Sequence, residues 1–462
     1  MAHRLEAYLS SSERELRSRR RWYWVALALM VASLIFHQAL IFVAGLLALF
    51  LAALPEVWYR FCLSGVVYER HLAESRVMFG EPISLSVRLE NQKLLPLPWI
   101  EVRDELPEAL TPPTGRVELH DARTGYVVLI NTFSLWWYQR VTRRYQIPGL
   151  KRGVFTLGPL KLESGDPFGL LTREQERRQL DTVLVYPPVL PIERFGLPPR
   201  HPFGERAAPR RLLEDPARVV GVRDWLPGDG LRRVHWKASA RAMTLQSKEY
   251  EASTTYTLEL FININAYDNP ILGLNPPLVE LLIAAAASIA TWAIEQGYEV
   301  GVYSNGLQAV GEGEAMPSLS PMEASQGLFQ AARLTIPASS RREQLTRVLE
   351  GLARLIAYFG PPLEQTLSAA QRRLPAGATL VVLSSAAAVS PDLLAMLLQM
   401  RGPGQKVALL LAGDAPVEAP PGVLVYRLGN EETWHEIMAQ FQGQTPAAES
   451  GQVEHRQPLL LA

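Results

Sequence analysis

His235 and Ser239 stand four residues apart, with Asp229 shortly upstream. On a helix that spacing puts an imidazole and a hydroxyl on one face, so one short segment supplies a nucleophile, a base and an orienting carboxylate. Such a trio would do serine-type hydrolysis. Against it, triads ordinarily draw their members from separate elements around an oxyanion site, and the chain has no G-x-S-x-G elbow. A structural His235 beside Trp236 is the simpler reading.

The same segment, Arg223 to Glu251, is crowded with cations and rings: Arg223, Arg232, Arg233, Lys237 and Arg241 surround Trp225 and Trp236, with Asp224, Asp229 and Glu249 interleaved. Pro227-Gly228-Asp229-Gly230 reads as a turn, because proline presets φ and glycine accepts positive φ. Asp229 is then placed to cap a short helix in which Leu231, Val234 and Ala238 recur at helical spacing and Arg232, Arg233 and Lys237 face outward. A strand is expected from Thr244. Trp225 and Trp236 are expected to pack beneath while the cations keep their heads in water, with Arg223, Asp229 and Arg241 ion-paired. The segment lies between a β-rich and an α/β region, so its expected role is a structural clasp that doubles as a partner surface. Binding of anionic lipid or nucleic acid is the alternative. The interleaved acids dilute that field, and no nucleic acid partner is expected.

The pattern R-x-W-x-P-G-D, then R-R-V-H-W-K-A-S-A-R and K-E-Y-E, closely resembles the signature of the domain of unknown function 58 family. Its matching residues here are Arg223, Trp225, Pro227, Gly228, Asp229, Arg232, Arg233, His235, Trp236, Lys237, Ser239, Ala240, Arg241 and Glu249. A second resemblance lies in Lys151-Arg152-Gly153-Val154-Phe155 and in Gly165-Asp166-Pro167-Phe168-Gly169-Leu170, where a packing role for Phe168 is expected. The resemblance implies a carboxyl-terminal domain like a von Willebrand factor type A domain, and a MoxR-type AAA+ ATPase as partner. Type A domains often hold a divalent cation through D-x-S-x-S after the first strand. Here that strand ends in Asn263-Ile264-Asn265, and a later one in Ser384-Ser385-Ala386, with no carboxylate to compensate Mg²⁺ dehydration. No metal and no cofactor are therefore expected.

At 462 residues with a formal net charge of +0, the chain is long enough for several domains and carries no global field. Cys62 is the single cysteine, so neither a disulfide framework nor a cysteine zinc cluster is available. Neither a Walker-type loop nor H-E-x-x-H occurs. Residues 1–21 form a basic tail, and an apolar run follows from Trp22 to Leu54, broken at His37-Gln38. It is read as a transmembrane hairpin of spans 22–37 and 39–54. By the positive-inside rule the arginine cluster, with Arg60 and Arg70 after the second span, places both ends and the soluble domains in the cytoplasm of a multi-pass inner-membrane protein.

Residues 66–190 alternate with period two, clearest at Ile83, Leu85, Val87 and Leu89, and are read as an antiparallel immunoglobulin-like β-sandwich. Leu135-Trp136-Trp137-Tyr138 is expected to pack in the core or at a sandwich corner, a membrane-interface anchor being the other option. Residues 191–218 are read as a Pro/Arg-rich linker, 219–251 as the signature segment, and 252–442 as a Rossmann-like α/β domain of alternating strands and helices, with a helix from Arg341 to Ala357. Residues 443–462 are expected to be disordered. The expected function is a membrane-anchored, non-enzymatic scaffold.

Overall fold

The computed structural model describes residues 22–120, 125–168, 171–200, 202–203, 213–227, 229–253, 256–308, 333–356, 360–375, 377–401, 405–444 and 453–456. The basic tail, residues 1–21, lies outside them, as do Gly169 and Gly228. The described residues fall into two compact units, one within 22–185 and 441–456 and the other within 186–308 and 333–440.

In the first unit, apolar helices α1 (Trp22–Phe36) and α2 (Ala39–Phe61) turn at His37-Gln38. They run antiparallel: the Tyr23 hydroxyl donates to Glu56 at 2.6 Å, and a Cβ at Gly45 would stand 3.0 Å from Met30 and 3.2 Å from Ala26, a tight approach that its neighbours would have to ease. Leu27, Leu34, Leu40 and Leu47 remain exposed. The 23 residues of α2 rise about 35 Å, enough for a hydrocarbon core of about 30 Å. The helix passes through Pro55 and runs beyond residue 54.

Eleven strands follow: β1 (Val66–Leu72), β2 (Arg76–Val77), β3 (Pro82–Asn91), β4 (Leu97–Pro107), β5 (Arg116–Leu119), β6 (Tyr126–Leu135), β7 (Arg140–Pro148), β8 (Gly153–Leu157), β9 (Leu160–Gly165), β10 (Thr172–Arg177) and β11 (Asp181–Val185). Together with β21 (Val453–Arg456) they build antiparallel sheets of order β1-β3-β7-β21 and β10-β9-β4-β6-β5, plus a small sheet β2-β11-β8. Ile83, Leu85, Val87 and Leu89 point inward on alternate residues and share one core with Ile100, Val102, Leu129 and Val141 from neighbouring strands.

Arg70, expected to flank the membrane, is instead buried in this unit. Its guanidinium meets Asp104 at 2.6 Å and Asp181 at 2.7 Å, while Tyr68 donates to Asp104 at 2.8 Å. On β1 the residue falls on the inward side of the pleat.

In the second unit, β12 (Leu213–Asp224) and β13 (Gln246–Ser253) form an antiparallel ribbon joined through α3 (Trp236–Ala242). The span read as linker is therefore partly regular: Ile192–Phe195 forms a 3-10 turn that buries Ile192 and Phe195, and β12 begins at Leu213. Apolar residues among the prolines anchor it. Next come β14 (Thr257–Ile262), α4 (Pro276–Glu295), β15 (Glu299–Gln308), β16 (Arg333–Ser339), α5 (Gln344–Arg354), β17 (Leu355–Ile356), α6 (Leu363–Gln371), β18 (Thr379–Ser385), α7 (Pro391–Met400), β19 (Lys406–Ala412), β20 (Leu424–Gly429) and α8 (Glu431–Gln444).

The main sheet has the order β16-β15-β14-β18-β19-β20, with β17 also beside β15. β14, β15, β18, β19 and β20 are mutually parallel, and β16 and β17 antiparallel to β15. The helix expected to reach Ala357 stops at Arg354, because Leu355–Ile356 pairs with β15. α4 is apolar on nearly every side and is buried; Asn275 caps it and prolines open its first turn. One sheet face packs Phe261, Leu380, Val382 and Leu409 against Leu363, Leu367, Leu393 and Leu397 of α6 and α7.

Glu259 is the exception within the central strand, only 2% exposed. Opposite it stands Gly301, where an added Cβ would collide with the carboxylate. Its Oε2 has no hydrogen-bond partner among the described residues. Burial, then the nearby Glu299 charge, pushes this carboxyl up to about 7.

The chain's polar tail, expected to lack structure, supplies β21 (Val453–Arg456), which pairs antiparallel with β7 in the first unit. Backbone pairing on an open edge needs no apolar sequence signal.

Candidate functional site

The signature grows out of the β12–β13 ribbon. Arg223 lies opposite Ser247 and Asp224 opposite Gln246, so both strands stop where the connecting segment folds back on them. Arg223 donates through Nη1 to Asp229 Oδ2 and through Nη2 to Oδ1, both at 2.8 Å. Asp229 gathers the whole turn: its carboxylate also accepts from the Leu226 amide at 3.1 Å, and its carbonyl from Trp225 Nε1 at 3.1 Å. Hydrogen bonds from Arg223, then the Leu226 amide, hold this carboxyl below the ordinary aspartate range. The ion pair expected of Arg223 and Asp229 is present; Arg241 stands apart on the exposed side of α3.

Asp229 does not cap the following helix. A 3-10 turn, Leu231–Arg233, starts from Gly230 without a side-chain cap, and α3 begins separately after His235. The carboxylate is occupied by Arg223, and the break at Val234-His235 puts Leu231 and Ala238 on two separate helical turns. Val234 is buried and bridges Ser247, while Leu231 is 70% exposed.

His235 and Ser239 both tie α3 down. His235 Nδ1 accepts from the Ala238 amide at 3.1 Å, which caps the helix. Ser239 Oγ donates to the His235 carbonyl at 3.1 Å and accepts from the Gln246 amide at 2.8 Å. The hydroxyl thus bonds backbone and not the imidazole, and Asp229 bonds Arg223; the three are not arranged as nucleophile, base and orienter.

Trp236, expected to pack beneath, is 65% exposed. Ser239 is the α3 residue held against β13, whereas Trp236, the first residue of the helix, stays outside. Trp225 is half-buried. Around Trp236 the chain also exposes Leu226, Leu231 and Met243, with Arg232, Lys237 and Arg241 among them. Arg233 is half-buried, and Pro227 and Glu249 are exposed. The result is a mixed apolar and basic surface on a tightly hydrogen-bonded frame.

The second family element lies in the other unit. Arg152 is buried, and Gly153 has φ 147°, a backbone conformation suited to glycine. The Asp166 side chain accepts from the amides of Phe168 at 3.0 Å and Leu171 at 2.5 Å. That tight loop turns Phe168 outward, 54% exposed, against the packing role expected of it; Pro167 is exposed as well.

At the carboxyl ends of β14, β15 and β18, where a type A domain would hold its cation, Asn263 bonds both Ser384 and Asn305. Asn263 Nδ2 donates to Ser384 Oγ at 3.1 Å, and Asn305 Nδ2 to Asn263 Oδ1 at 2.8 Å. Asn265 exchanges two hydrogen bonds with Gly360, at 3.0 and 2.8 Å. These donors are neutral and already engaged with one another, so they do not fit a divalent cation.

Beside this network lies a cleft of about 380 Å³ lined by Tyr267, Asn275, Ser385, Asp414, Asn430 and Glu431 among others. Sequence reading missed its acidic rim. The signal was present, since Asn430 before Glu431-Glu432 is a helix-start pattern, and Thr433 N donates to Asn430 Oδ1 at 3.3 Å.

Residues 221–357 match a family described as Protein of unknown function DUF58, so the family resemblance carried by the signature is borne out there. The uncharacterized protein YeaD of Bacillus subtilis is 25% identical over 306 residues, covering 63% of this chain and 71% of that protein. Among solved structures, a cohesin module from a Clostridium perfringens family 33 glycoside hydrolase covers 26% of this chain and 97% of its own, at 13% identity and TM-score 0.19. The sporulation control protein Spo0M from Bacillus subtilis covers 27% of this chain and 50% of its own, at 10% identity and TM-score 0.16. Likeness this slight carries no argument about fold or function.

Proposed function

We propose that the protein is a membrane-anchored, non-enzymatic scaffold whose signature surface docks a protein partner, a MoxR-type AAA+ ATPase, in a cell-envelope or complex-assembly process. One observation carries this reading. Trp236 is 65% exposed, as Leu231 and Met243 of the same segment are still more, on a frame in which Arg223, Asp229, His235 and Ser239 are all spent on internal hydrogen bonds. Exposed aromatic side chains ringed by cations are the composition of a binding hot spot. The strand order β16-β15-β14-β18-β19-β20 supports reading the second unit as a type A-like interaction domain, and two antiparallel sheets around one core support an immunoglobulin-like sandwich. The apolar α1–α2 hairpin supports a multi-pass anchor with the soluble units in the cytoplasm.

Photo-crosslinking in cells from a benzoylphenylalanine at position 236 tests the partner. Capture of an AAA+ ATPase, lost with Leu231→Ser, is expected. Adducts only with lipid or nucleic acid would transfer the surface to the alternative reading, and retained function in Trp236→Ala would remove its importance.

A further inference from the structure

α2 does not hang from its domain by a linker. It ends at Phe61, and the next residues, Cys62 and Leu63, already belong to the core of the first unit. Three contacts clamp the 91–96 loop to this end of the helix. Trp58 Nε1 donates to the Pro96 carbonyl at 3.0 Å, and Lys93 Nζ to the carbonyls of Cys62 at 2.6 Å and Ser64 at 2.5 Å. The loop in turn holds the turn after β6: Asn91 Nδ2 donates to both Leu95 and Trp136 carbonyls at 2.9 Å, and Tyr138 N to the Lys93 carbonyl at 3.4 Å.

Four large side chains stand out from this seam. Leu94 is 73% exposed, Trp136 61%, Trp137 48% and Tyr138 53%, the two indoles meeting edge to face at 5.2 Å. Of the positions expected for this cluster, the core is excluded and the corner after β6 is what is found, because β6 ends at Leu135, the last residue turned inward.

We propose that Leu94, Trp136, Trp137 and Tyr138 form a platform seated in the headgroup zone of the leaflet from which α2 emerges. The inference rests on the reading of α1–α2 as a spanning hairpin. Trp and Tyr favour that depth, where a ring is shielded and its polar atom stays wet. The distances agree: from Leu40 to Trp58 an α-helix rises about 27 Å, close to the hydrocarbon thickness, so Trp58 and the loop bonded to it fall at the boundary. Val57 and Phe61, which flank Trp58 on the last turns of α2, are both nearly half exposed, so apolar surface reaches the helix end to which the loop is bonded. Arg60 and Arg173, whose guanidinium donates to the Arg60 carbonyl at 2.9 Å, add cations at the same level, as an anionic leaflet favours.

The test is spin-label depth measurement on the full chain in nanodiscs containing anionic lipid, in a Cys62→Ala background, with labels at Leu94→Cys, Trp136→Cys, Leu47→Cys and Leu119→Cys. If the background does not fold, the parent serves, because Cys62 is buried. Leu119 is 77% exposed and pairs with Val127, at the opposite end of β6 from Trp136. Expected are a deep position for 47, free access of water-soluble relaxant to 119, and several-fold lower access at 94 and 136 with intermediate depth. Positions 94 and 136 matching 119 while 47 stays deep would overturn the platform and leave the anchor. An aqueous reading at 47 would overturn both.

Discussion

Arg223 and Asp229 grip each other through two parallel hydrogen bonds of 2.8 Å, closing the turn that precedes the exposed Trp236. Because Arg223 already lies on a paired strand, the contact fixes the turn to the ribbon.

Asp229→Asn keeps the shape but loses the charge and one acceptor. We expect faster hydrogen exchange at the Leu226 amide, with the global melting temperature unchanged, checked by exchange mass spectrometry. The carboxyl's pKa is depressed, so its contribution is present above the unfolded value and is lost as pH falls through the folded one. The turn therefore stays protected at pH 5 and opens only as pH falls beneath the ordinary aspartate value of 3.8.

Met243 ends α3 at φ 56° and is 89% exposed. A left-handed residue with a side chain costs roughly 1–2 kcal/mol relative to glycine. Met243→Gly should therefore raise stability by about 1 kcal/mol in urea titration while weakening crosslinking from position 236. Stability and binding moving in opposite directions would mark the methionine as kept for contact.

Arg70 and Asp104 are both excluded from water. Asp104→Ala leaves Arg70 its partly exposed partner Asp181, and should cost about 3–5 kcal/mol. Glu69→Ala removes the exposed Arg88–Glu69 pair at 3.3 Å and should cost less than about 1 kcal/mol. Denaturant melts of the two variants in one buffer make the comparison.

Glu259 titrates at about 7 in the fold against 4.5 as its ordinary value. With the folded pKa raised, the stabilisation is fully present below pH 4.5 and is lost as pH rises through 7, on the order of 3 kcal/mol in all. Glu259→Gln should melt above the parent at pH 8 and with it at pH 4.5. Identical pH profiles for the two proteins would show that the buried carboxyl does not control this dependence.

Regular, locally encoded features were legible from residues alone. The alternation at Ile83–Leu89 became β3, the apolar run broken at His37-Gln38 became α1 and α2, and the strand–helix alternation became the parallel sheet. What could not be read was direction. Periodicity says that Trp236 and Phe168 are apolar, but a serine pressed against a strand and an aspartate folding a loop decided that both face outward. Buried charge was hidden for the converse reason: Arg70 looks like a flanking arginine until Asp104 and Asp181, distant in sequence, arrive beside it. The acidic cleft gathers residues from loops after different strands, a grouping that sequence order disperses.

β21 lies against β7, yet the whole of Tyr186–Val310 and Phe329–Gln440 is encoded between those strands. During synthesis the β7 edge therefore stands open until residues 453–456 leave the ribosome, by which time the intervening unit has already been made. An unpaired edge is a template for strangers as well as for the right strand. Nascent chains halted before residue 453 should therefore be held by chaperones longer than chains that carry β21, which pull-down of stalled chains would check.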